Sequence, residues 1–389
     1  MNDSTAVSVS VAEAVEVAKA AGLTYVRDDE PGIRRVRCGD GFRYVAANGN
    51  PVIDRKALDR IAALAIPPAY EDVWICTNPR GHLQATGRDA RGRKQYRYHS
   101  EWRNLRDGAK FERMIEFADA LPTLRRRVRK DLNQPGLPRD KVLAVIVGLL
   151  DATRIRIGNA AYVRDNSSYG LTTLRDRHAR FVRDGRLLLQ FRGKGGVPHE
   201  IAVDDRRLVR LVRRCQQLPG QQLFQYVDDS GARHSVTSDL VNDYLRDAMG
   251  ADFTAKDFRT WGASLRAIAL LAQTPLPENR SERACKSCIT AAIKTVAAEL
   301  INTPAVCRKS YINPVIFDSW KRGTLHDAVP ASATCSPREA ERCAIEFLRR
   351  EMRGARSGTR RTRRPKFAHG MLPSHSRPEA RNRQVVHSP

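Results

Sequence analysis

The hydrophobic pattern of this sequence changes its period near residue 104, and that change limits the folds open to the chain. Between residues 23 and 104, short alternating runs such as Phe42–Val45 are separated by turn signals such as Asn48–Pro51. Alternation bounded by turn residues is typical of β-strands. Beyond this point apolar residues recur at helical spacing, most clearly over Lys141–Thr153. We therefore predict an α+β fold, with a small β-rich N-terminal domain at 23–104 and a larger, mainly helical domain at 105–329.

The two ends of the chain have a different character. Val11 to Ala21 reads as a helix stopped by Gly22, so residues 1–22 form an N-terminal segment and helix. Residues 336–353 fit one charged helix, whereas 354–389 are rich in Arg, Ser and Pro with few apolar residues. Such a composition favours disorder. We assign residues 330–389 to a basic, largely disordered tail.

Within the helical part, three short runs predict a small three-stranded sheet: Gly170–Leu174, His178–Val182 and Arg186–Arg192. The glycine-rich residues 193–196 predict a turn into a further extended run at Pro198–Val203. Further helices are predicted at Phe111–Leu121, Leu124–Leu132, Arg206–Gln217, Ser238–Met249, Ala263–Leu271 and Arg283–Glu299.

The charge of the chain indicates a polyanionic partner. Lys and Arg number 68 against 43 Asp and Glu, which gives a formal charge of +25. This excess favours duplex DNA as the partner, with an anionic membrane surface as the second candidate. No apolar run reaches the ~18 residues of a membrane span and no secretory signal precedes the first helix, so we expect a cytoplasmic protein.

No cofactor or metal is expected from the sequence. Cys285 and Cys288 have the spacing of zinc ligands. A second pair of Cys or His residues at a suitable distance is missing, and the surrounding apolar periodicity favours an ordinary helix.

One segment of the N-terminal domain combines cations with aromatic residues. Arg93, Lys94, Tyr96 and Tyr98 follow each other within a run that reads as a strand. Such a mixture suits phosphate contacts together with contacts to bases. A solvated basic loop is the alternative, but the alternation of tyrosines with cations favours a DNA-contacting strand.

The chemistry of the larger domain centres on Tyr311. An isolated phenol, with a pKa of ~10, is a poor nucleophile at neutral pH and needs cations and hydrogen-bond donors around its target. Arg156, Lys194, Arg259 and Asn302 supply these groups. Singly, each has an ordinary structural explanation, as a helix cap, a loop charge or an ion pair. Together with these groups, Tyr311 can attack a phosphodiester without metal. The guanidinium groups bind the non-bridging oxygens, and Lys can protonate the leaving alkoxide.

In this combination the sequence resembles the type IB DNA topoisomerases, specifically their compact poxvirus-like and bacterial branch. The resemblance covers about residues 23–325, and its motifs follow the order of the family. The motifs are Ile66–Tyr70, Gly81–His99, Arg156–Asn159, Tyr169–Leu174, Phe191–Lys194, Thr254–Gly262, Asn302–Pro304 and Ser310–Tyr311.

The resemblance implies a fold of the tyrosine recombinase and type IB topoisomerase kind and a defined reaction. Tyr311 would attack a backbone phosphorus, giving a 3′-phosphotyrosyl enzyme and a free 5′-hydroxyl. Arg156 and Arg259 would stabilise the transition state, and Lys194 would protonate the 5′ oxygen. Strand rotation and religation would then relax the DNA without ATP or metal. A monomer whose two domains clamp the duplex, associated with the nucleoid, is implied as well.

The resemblance also suggests DNA contacts and one departure. Many relatives have His where this chain has Asn302; an amide donates the same hydrogen bond without carrying charge. By their place in the motifs, Lys256 and Tyr162 correspond to DNA-contacting residues of the family. Gln84, Tyr96 and Tyr98 are also expected to contact DNA, although their positions match the motifs less closely.

Two other functions remain open from the sequence. Tyrosine recombinases use a related set of residues, but they usually carry His three positions before the second arginine, where this chain has Lys256. A non-catalytic DNA-packaging protein would need only the charge of +25. Relaxation of a plasmid without a defined recombination site would exclude the first, and loss of relaxation in Tyr311→Phe would exclude the second.

Overall fold

The computed structural model describes residues 11–90 and 92–362, and its architecture is α+β. Strands dominate the chain up to Tyr98, and helices dominate after it. This agrees with the predicted change of period. None of the helices in the described part is long and apolar enough to cross a membrane.

The N-terminal part is built on one antiparallel sheet. Helix α1 (Val11–Ala20) precedes it, and Gly22, with φ of +64°, lies in the turn that follows the helix. Helix α2 (Arg55–Ala63) packs Ile61 into the sheet's core. The strands follow the order β2-β1-β3-β4-β5 across the sheet. Their bounds are β1 (Ile33–Cys38), β2 (Gly41–Val45), β3 (Glu71–Ile75), β4 (Leu83–Arg88) and β5 (Lys94–Tyr98).

The larger part is a helical body around α4, which is buried along most of its length. The helices predicted at Phe111–Leu121 and Leu124–Leu132 are one continuous helix, because its apolar stripe runs past Pro122 into the core. The helices are α3 (Ser100–Asp131), α4 (Arg139–Thr153), α5 (Ala160–Asn166), α6 (Arg206–Gln216), α7 (Ser238–Met249), α8 (Ala255–Ala272), α9 (Glu282–Glu299), α10 (Pro304–Ser310), α11 (Val315–Arg322), α12 (Thr324–Ala328) and α13 (Pro337–Thr362).

The predicted three-stranded sheet exists, but with a different first member. The run Gly170–Leu174 is a 3₁₀ turn, because Leu171 and Leu174 stand three residues apart and are both fully buried, a spacing that a turn accommodates and a strand does not. The actual strands are antiparallel and consecutive: β6 (Ala179–Phe181), β7 (Leu187–Arg192) and β8 (Pro198–Val203). A small hairpin that was not predicted follows, formed by β9 (Gln225–Val227) and β10 (Arg233–Ser235).

The C-terminal segment differs from the disordered tail expected from residue 330. Helix α13 buries Phe347 and Leu348 in the main core, and Glu341 accepts a 2.7 Å bond from Arg125 of α3. The helix also continues to Thr362, past the predicted onset of disorder at residue 354. Its apolar residues are few but share one face, so composition understates their burial. The expectations for residues 1–10 and 363–389 lie outside the described residues.

Candidate active site

Tyr311 stands at the end of a short helix that is anchored at both ends. Thr303 caps α10 by accepting a hydrogen bond from the amide of Val306, and Pro304 occupies the first turn. At the other end, the Tyr311 carbonyl accepts a 3.1 Å bond from the hydroxyl of Ser264, which is fully buried on α8. The backbone of the candidate nucleophile is therefore held by the core of the helical body.

Helix α8 presents two of the predicted cations, and it begins eight residues earlier than the predicted start at Ala263. Asp257 accepts hydrogen bonds from both the amide (2.8 Å) and the hydroxyl (3.0 Å) of Thr254, which fixes the first turn. Lys256 is exposed on this turn, whereas Arg259 is buried. The Thr-Ala-Lys-Asp segment is a capping signal that the apolar periodicity alone does not reveal.

Arg259 links three segments of the site. Its side chain is 4% exposed, and its Nη2 donates to the Leu300 carbonyl at 2.9 Å. Nη1 donates to the carbonyl of Arg154. The guanidinium carbon lies 5.2 Å from the ring centroid of Tyr311. Two carbonyls thus fix the orientation of Arg259 before any substrate arrives.

Arg156 lies on a loop that is attached to the 3₁₀ turn by backbone bonds. Helix α4 ends at Arg154 in the left-handed region (φ +56°), and the Arg156 carbonyl then accepts a 2.9 Å bond from the amide of Leu171. Gly158 and Gly170 allow this approach, since a Cβ on Gly170 would lie 2.5 Å from the Cα of Gly158. The glycines therefore position the loop that carries Arg156.

The electrostatics at Tyr311 favour its ionised form. Burial of the phenol raises its pKa, but the charge of Arg259 and a hydrogen bond from it act in the opposite direction. The charges of Arg156 and Lys256 add to this effect, so that the pKa of Tyr311 lies below its ordinary value. The charges of all three predicted cations therefore act on the phenol of the predicted nucleophile.

Lys194 occupies the tip of the hairpin between β7 and β8, as predicted. Its side chain is exposed, and Gly195 and Gly196 follow it with φ of +79° and +77°. The base of this hairpin is joined to the same turn as Arg156, because the amide of Tyr169 donates to the Arg192 carbonyl at 2.7 Å.

Asn302 lies just beyond the end of α9, two residues after the carbonyl that Arg259 binds. Its backbone amide donates to Ala297 at 2.9 Å. Its side-chain Nδ2 is buried and has no hydrogen-bond partner among the residues that the structure describes. The side-chain amide of Asn302 is thus a donor without an acceptor, two residues from the carbonyl that the buried guanidinium of Arg259 binds.

The structure adds His199, which the sequence analysis did not select. Its side chain is 6% exposed on β8, and its ring stacks on Phe191 with centroids 4.8 Å apart. Burial first, and then the charges of Arg156 and Arg259, lower the pKa of His199 to about 4. A polar residue at an inward position of a predicted strand, alternating with Ile201, was the available signal.

The N-terminal candidates Arg93, Lys94 and Tyr96 are exposed, and the two cations form ion pairs. Tyr96 is 40% exposed, and its ring stacks on the half-buried ring of Tyr98 at 6.0 Å. Lys94 forms an ion pair with Asp28 and lies 5.7 Å from the Tyr96 ring. The guanidinium of Arg93 pairs with Asp89 at 2.7 Å.

Gln84 and Tyr162 stand apart from the other expected DNA contacts. The Gln84 side chain is 3% exposed, its carbonyl accepts from Arg60 at 2.7 Å, and its amide donates to the turn ending at Gly81. All of its polar atoms are used inside the protein, so in this structure Gln84 braces the β3–β4 turn. Tyr162 lies on α5, and its side chain is outside the described part.

The donors around Tyr311 suit an anion. Across residues 11–90 and 92–362, no group of three or more His, Cys, Asp or Glu side chains is placed to hold a metal ion. Cys285 and Cys288 lie on α9, the helix predicted for them. The N–H groups of Arg259 and Asn302 are instead the kind of donors that bind phosphate oxygens.

Comparison with known proteins gives two family matches that together cover both parts of the chain. Residues 99–318 match the catalytic core of eukaryotic DNA topoisomerase I. Residues 41–89 match the N-terminal domain of bacterial DNA topoisomerase IB. The first match alone spans more than half of the sequence.

Individual relatives agree with the family matches. DNA topoisomerase 1B of Acanthamoeba polyphaga mimivirus is 34% identical over 286 residues, which cover 72% of this chain and 85% of the viral protein. DNA topoisomerase 1B of Vaccinia virus (strain Copenhagen) is 25% identical over 72% of this chain and 87% of its own length. DNA topoisomerase 1 of Mycosarcoma maydis is 26% identical over 46% of this chain and 20% of its own. The chain therefore belongs to the type IB DNA topoisomerase family.

Proposed function

We propose that this protein relaxes supercoiled duplex DNA by transient cleavage of one strand, rotation of that strand and religation, without ATP or metal. The observation that carries the proposal is the environment of Tyr311. A buried phenol should resist ionisation, yet Arg259, Arg156 and Lys256 lower its pKa. The same guanidinium groups can bind the non-bridging oxygens of a phosphodiester and take the place of a metal as the charge sink.

The proposed chemical step is a transesterification. The Tyr311 oxygen attacks the phosphorus and loses its proton to solvent, forming a 3′-phosphotyrosyl bond. The bond from phosphorus to the 5′ oxygen breaks, and Lys194 protonates the departing oxygen to give a 5′-hydroxyl. Arg156, Arg259 and the amide of Asn302 stabilise the pentacoordinate transition state. Attack by the 5′-hydroxyl reverses the step, so the phosphoester energy is retained and ATP is not required.

We further propose that a monomer holds the duplex between two domains, 23–104 and 105–329. Separate buried clusters support this division: Ile33, Val73 and Ile75 form one in the N-terminal sheet, and the main core starts at Phe111. Residue 104 falls inside α3, which would then be a rigid connection. Arg93, Lys94 and Tyr96 on one side and Lys256 on the other are exposed DNA-contact candidates, and Gln84, Tyr98 and Tyr162 remain further candidates. Action on chromosomal DNA would place the protein at the nucleoid, in the cytoplasm.

The test compares plasmid relaxation by the native chain, Tyr311→Phe and Tyr226→Phe, in EDTA and without nucleotide. Tyr226 is a half-buried tyrosine on β9 and serves as a matched control. We expect the native chain and Tyr226→Phe to relax a plasmid that carries no recombination site. Tyr311→Phe should lose relaxation and keep duplex binding within about threefold, because only the nucleophilic oxygen is removed. Relaxation by Tyr311→Phe, or a strict need for Mg²⁺, would contradict the proposal.

A further inference from the structure

Among the described residues, several of the buried polar atoms without hydrogen-bond partners belong to residues at or beside the candidate active site. In the described part of the chain, both ring nitrogens of His199, Nδ2 of Asn302 and Nε of Arg259 are buried and have no hydrogen-bond partner. They come from three elements: β8, the segment after α9, and α8. A buried polar group without a partner is costly, so native proteins keep few of them. A cluster of such groups indicates a ligand rich in acceptors.

The ring of His199 is held firmly in place. It stacks on Phe191, and its Nε2 edge lies against Gly193, where a Cβ would lie 2.3 Å from Nε2. Only glycine therefore fits at position 193 beside this ring. The ring also lines a cavity of about 490 Å³ together with Tyr169 and Arg192. The imidazole is buried by its neighbours but borders a space that a ligand can enter.

We propose that His199 is a further contact of the reacting group, donating a hydrogen bond to an oxygen of the phosphodiester that Tyr311 attacks. The inference rests on the proposed function and adds one residue to its site.

The geometry puts β8 beside Arg156 and Arg259. The His199 ring lies against Gly193, and the neighbouring Arg192 carbonyl accepts a 2.7 Å bond from Tyr169. Two residues further along that turn, Leu171 donates to the Arg156 carbonyl at 2.9 Å, and Arg259 binds the carbonyl of Arg154. A phosphate bound between Arg156 and Arg259 would therefore lie on the side of the site that faces β8. Its oxygens are the acceptors that the imidazole lacks inside the protein.

The charge state of the ring fits this role. With its pKa lowered to about 4, His199 is neutral near pH 7 and carries one N–H donor. A neutral donor adds a hydrogen bond without placing a third positive charge beside Arg156 and Arg259. Arrival of the phosphate supplies the missing acceptor.

Two variants separate a phosphate contact from a packing role. His199→Phe keeps the aromatic contact with Phe191 but has no donor, whereas His199→Gln keeps an N–H donor. Cleavage is measured in a single turnover on a suicide duplex whose cleaved phosphate has first been mapped with the native chain. We expect His199→Phe to cleave about tenfold to a hundredfold more slowly, the effect of losing one hydrogen bond to a charged group. His199→Gln should recover most of the rate.

A second substrate and the melting temperature complete the test. When the cleaved phosphate carries a methylphosphonate, which removes one charged oxygen, the difference between His199→Phe and the native chain should shrink several-fold. The melting temperature of His199→Phe should equal or exceed the native value, because a buried polar group without a partner is removed. Native cleavage rates in His199→Phe would overturn the inference. A rate loss that is unchanged on methylphosphonate and accompanied by a lower melting temperature would also overturn it. If the native chain forms no adduct, the proposed function fails together with this inference.

Discussion

At the phenol of Tyr311 two physical effects oppose each other. Burial disfavours the phenolate, and nearby positive charge favours it; here the charges prevail and the pKa falls. Arg259 contributes most of this charge, and its orientation is set by the carbonyls of Arg154 and Leu300. A donor that is already oriented does not have to be reorganised when charge develops on the phosphate. The residue therefore combines a structural and a catalytic role.

Replacing Arg259 by Lys tests both roles together. Lysine keeps the charge but not the planar fork, so it cannot serve both carbonyls and a phosphate. We expect Arg259→Lys to slow cleavage about a hundredfold or more and to lower the free energy of unfolding by about 1–3 kcal/mol. Single-turnover cleavage and urea unfolding measure the two effects.

Arg266→Lys is the matched control for this substitution. Arg266 lies on the same helix, and its guanidinium pairs at 2.8 Å with Glu299 on the surface. In Arg266→Lys, the activation free energy of cleavage and the free energy of unfolding should both remain within about 0.5 kcal/mol of the native values, because surface ion pairs contribute little. Equal effects of the two substitutions would contradict the special position of Arg259.

For single residues, the sequence predicts which side chains suit the reaction better than it predicts how those side chains are packed and hydrogen-bonded. Arg259 and Tyr311 could be selected because guanidinium and phenol groups near glycine and helix signals suit phosphoryl chemistry. For His199 the sequence offers only its inward position on a predicted strand, because its lack of partners arises from packing between β7 and β8. The enclosure of Gln84 could not be predicted either, because an amide looks the same in sequence whether it faces solvent or is enclosed by a turn.

Among the secondary-structure elements, the contact between the Arg156 loop and the 3₁₀ turn has the most direct effect on the site. Leu171 and Thr172 donate to the carbonyls of Arg156 and Ile157 at 2.9 and 2.7 Å. These bonds depend on the closeness of Gly158 and Gly170. Any side chain there would move the loop away from the turn, and the guanidinium of Arg156 with it.

Gly170→Ala is the corresponding prediction. The backbone of Gly170 (φ −146°) tolerates alanine, so the whole effect comes from the Cβ, which would meet Gly158 at 2.5 Å. We expect slower cleavage together with a loss of about 1–3 kcal/mol in unfolding free energy. Gly108→Ala on α3 is the control, since no atom lies within 4 Å of its added Cβ. That change should stabilise the chain by about 0.5–1 kcal/mol. Native cleavage by Gly170→Ala would refute the positioning role of this contact.

Elements with clear local signals could be predicted, and elements defined by tertiary contacts could not. The hairpin carrying Lys194 follows from its glycines. The run Gly170–Leu174 forms a turn and not the predicted strand, because the core buries both Leu171 and Leu174 and because its amides bond to the Arg156 loop. The early start of α8 depends on the side-chain cap from Asp257.

Over the whole molecule, helix α13 is the feature that composition conceals. Its exposed face is charged, but Ala344, Phe347 and Leu348 enter the main core. Glu341 also binds Arg125, and the charge of that guanidinium helps to hold the pKa of the Glu341 carboxyl below its ordinary value although burial raises it. Helix α13 is therefore part of the helical body that carries Tyr311. The net charge of the chain predicts DNA as the partner. The packing of α13 against the main core could not be predicted in the same way, because its segment is rich in Arg and Glu.

Two truncated chains test the contribution of α13. A chain ending at residue 336 loses the buried side chains of the helix, whereas a chain ending at Thr362 keeps them. Burial of two large apolar side chains stabilises a protein by about 3–6 kcal/mol. We therefore expect the shorter chain to melt many degrees below the longer one, as followed by circular dichroism. Equal melting temperatures would show that α13 is not part of the folded body.

The most direct measurement is to map the residue that becomes attached to DNA. The native chain is incubated with a suicide duplex in EDTA, and the covalent adduct is digested and sequenced by mass spectrometry. We predict a single modified peptide, with the 3′ phosphate on the oxygen of Tyr311 and a free 5′-hydroxyl on the other product. Attachment to any other residue, or through the 5′ phosphate, would contradict the account.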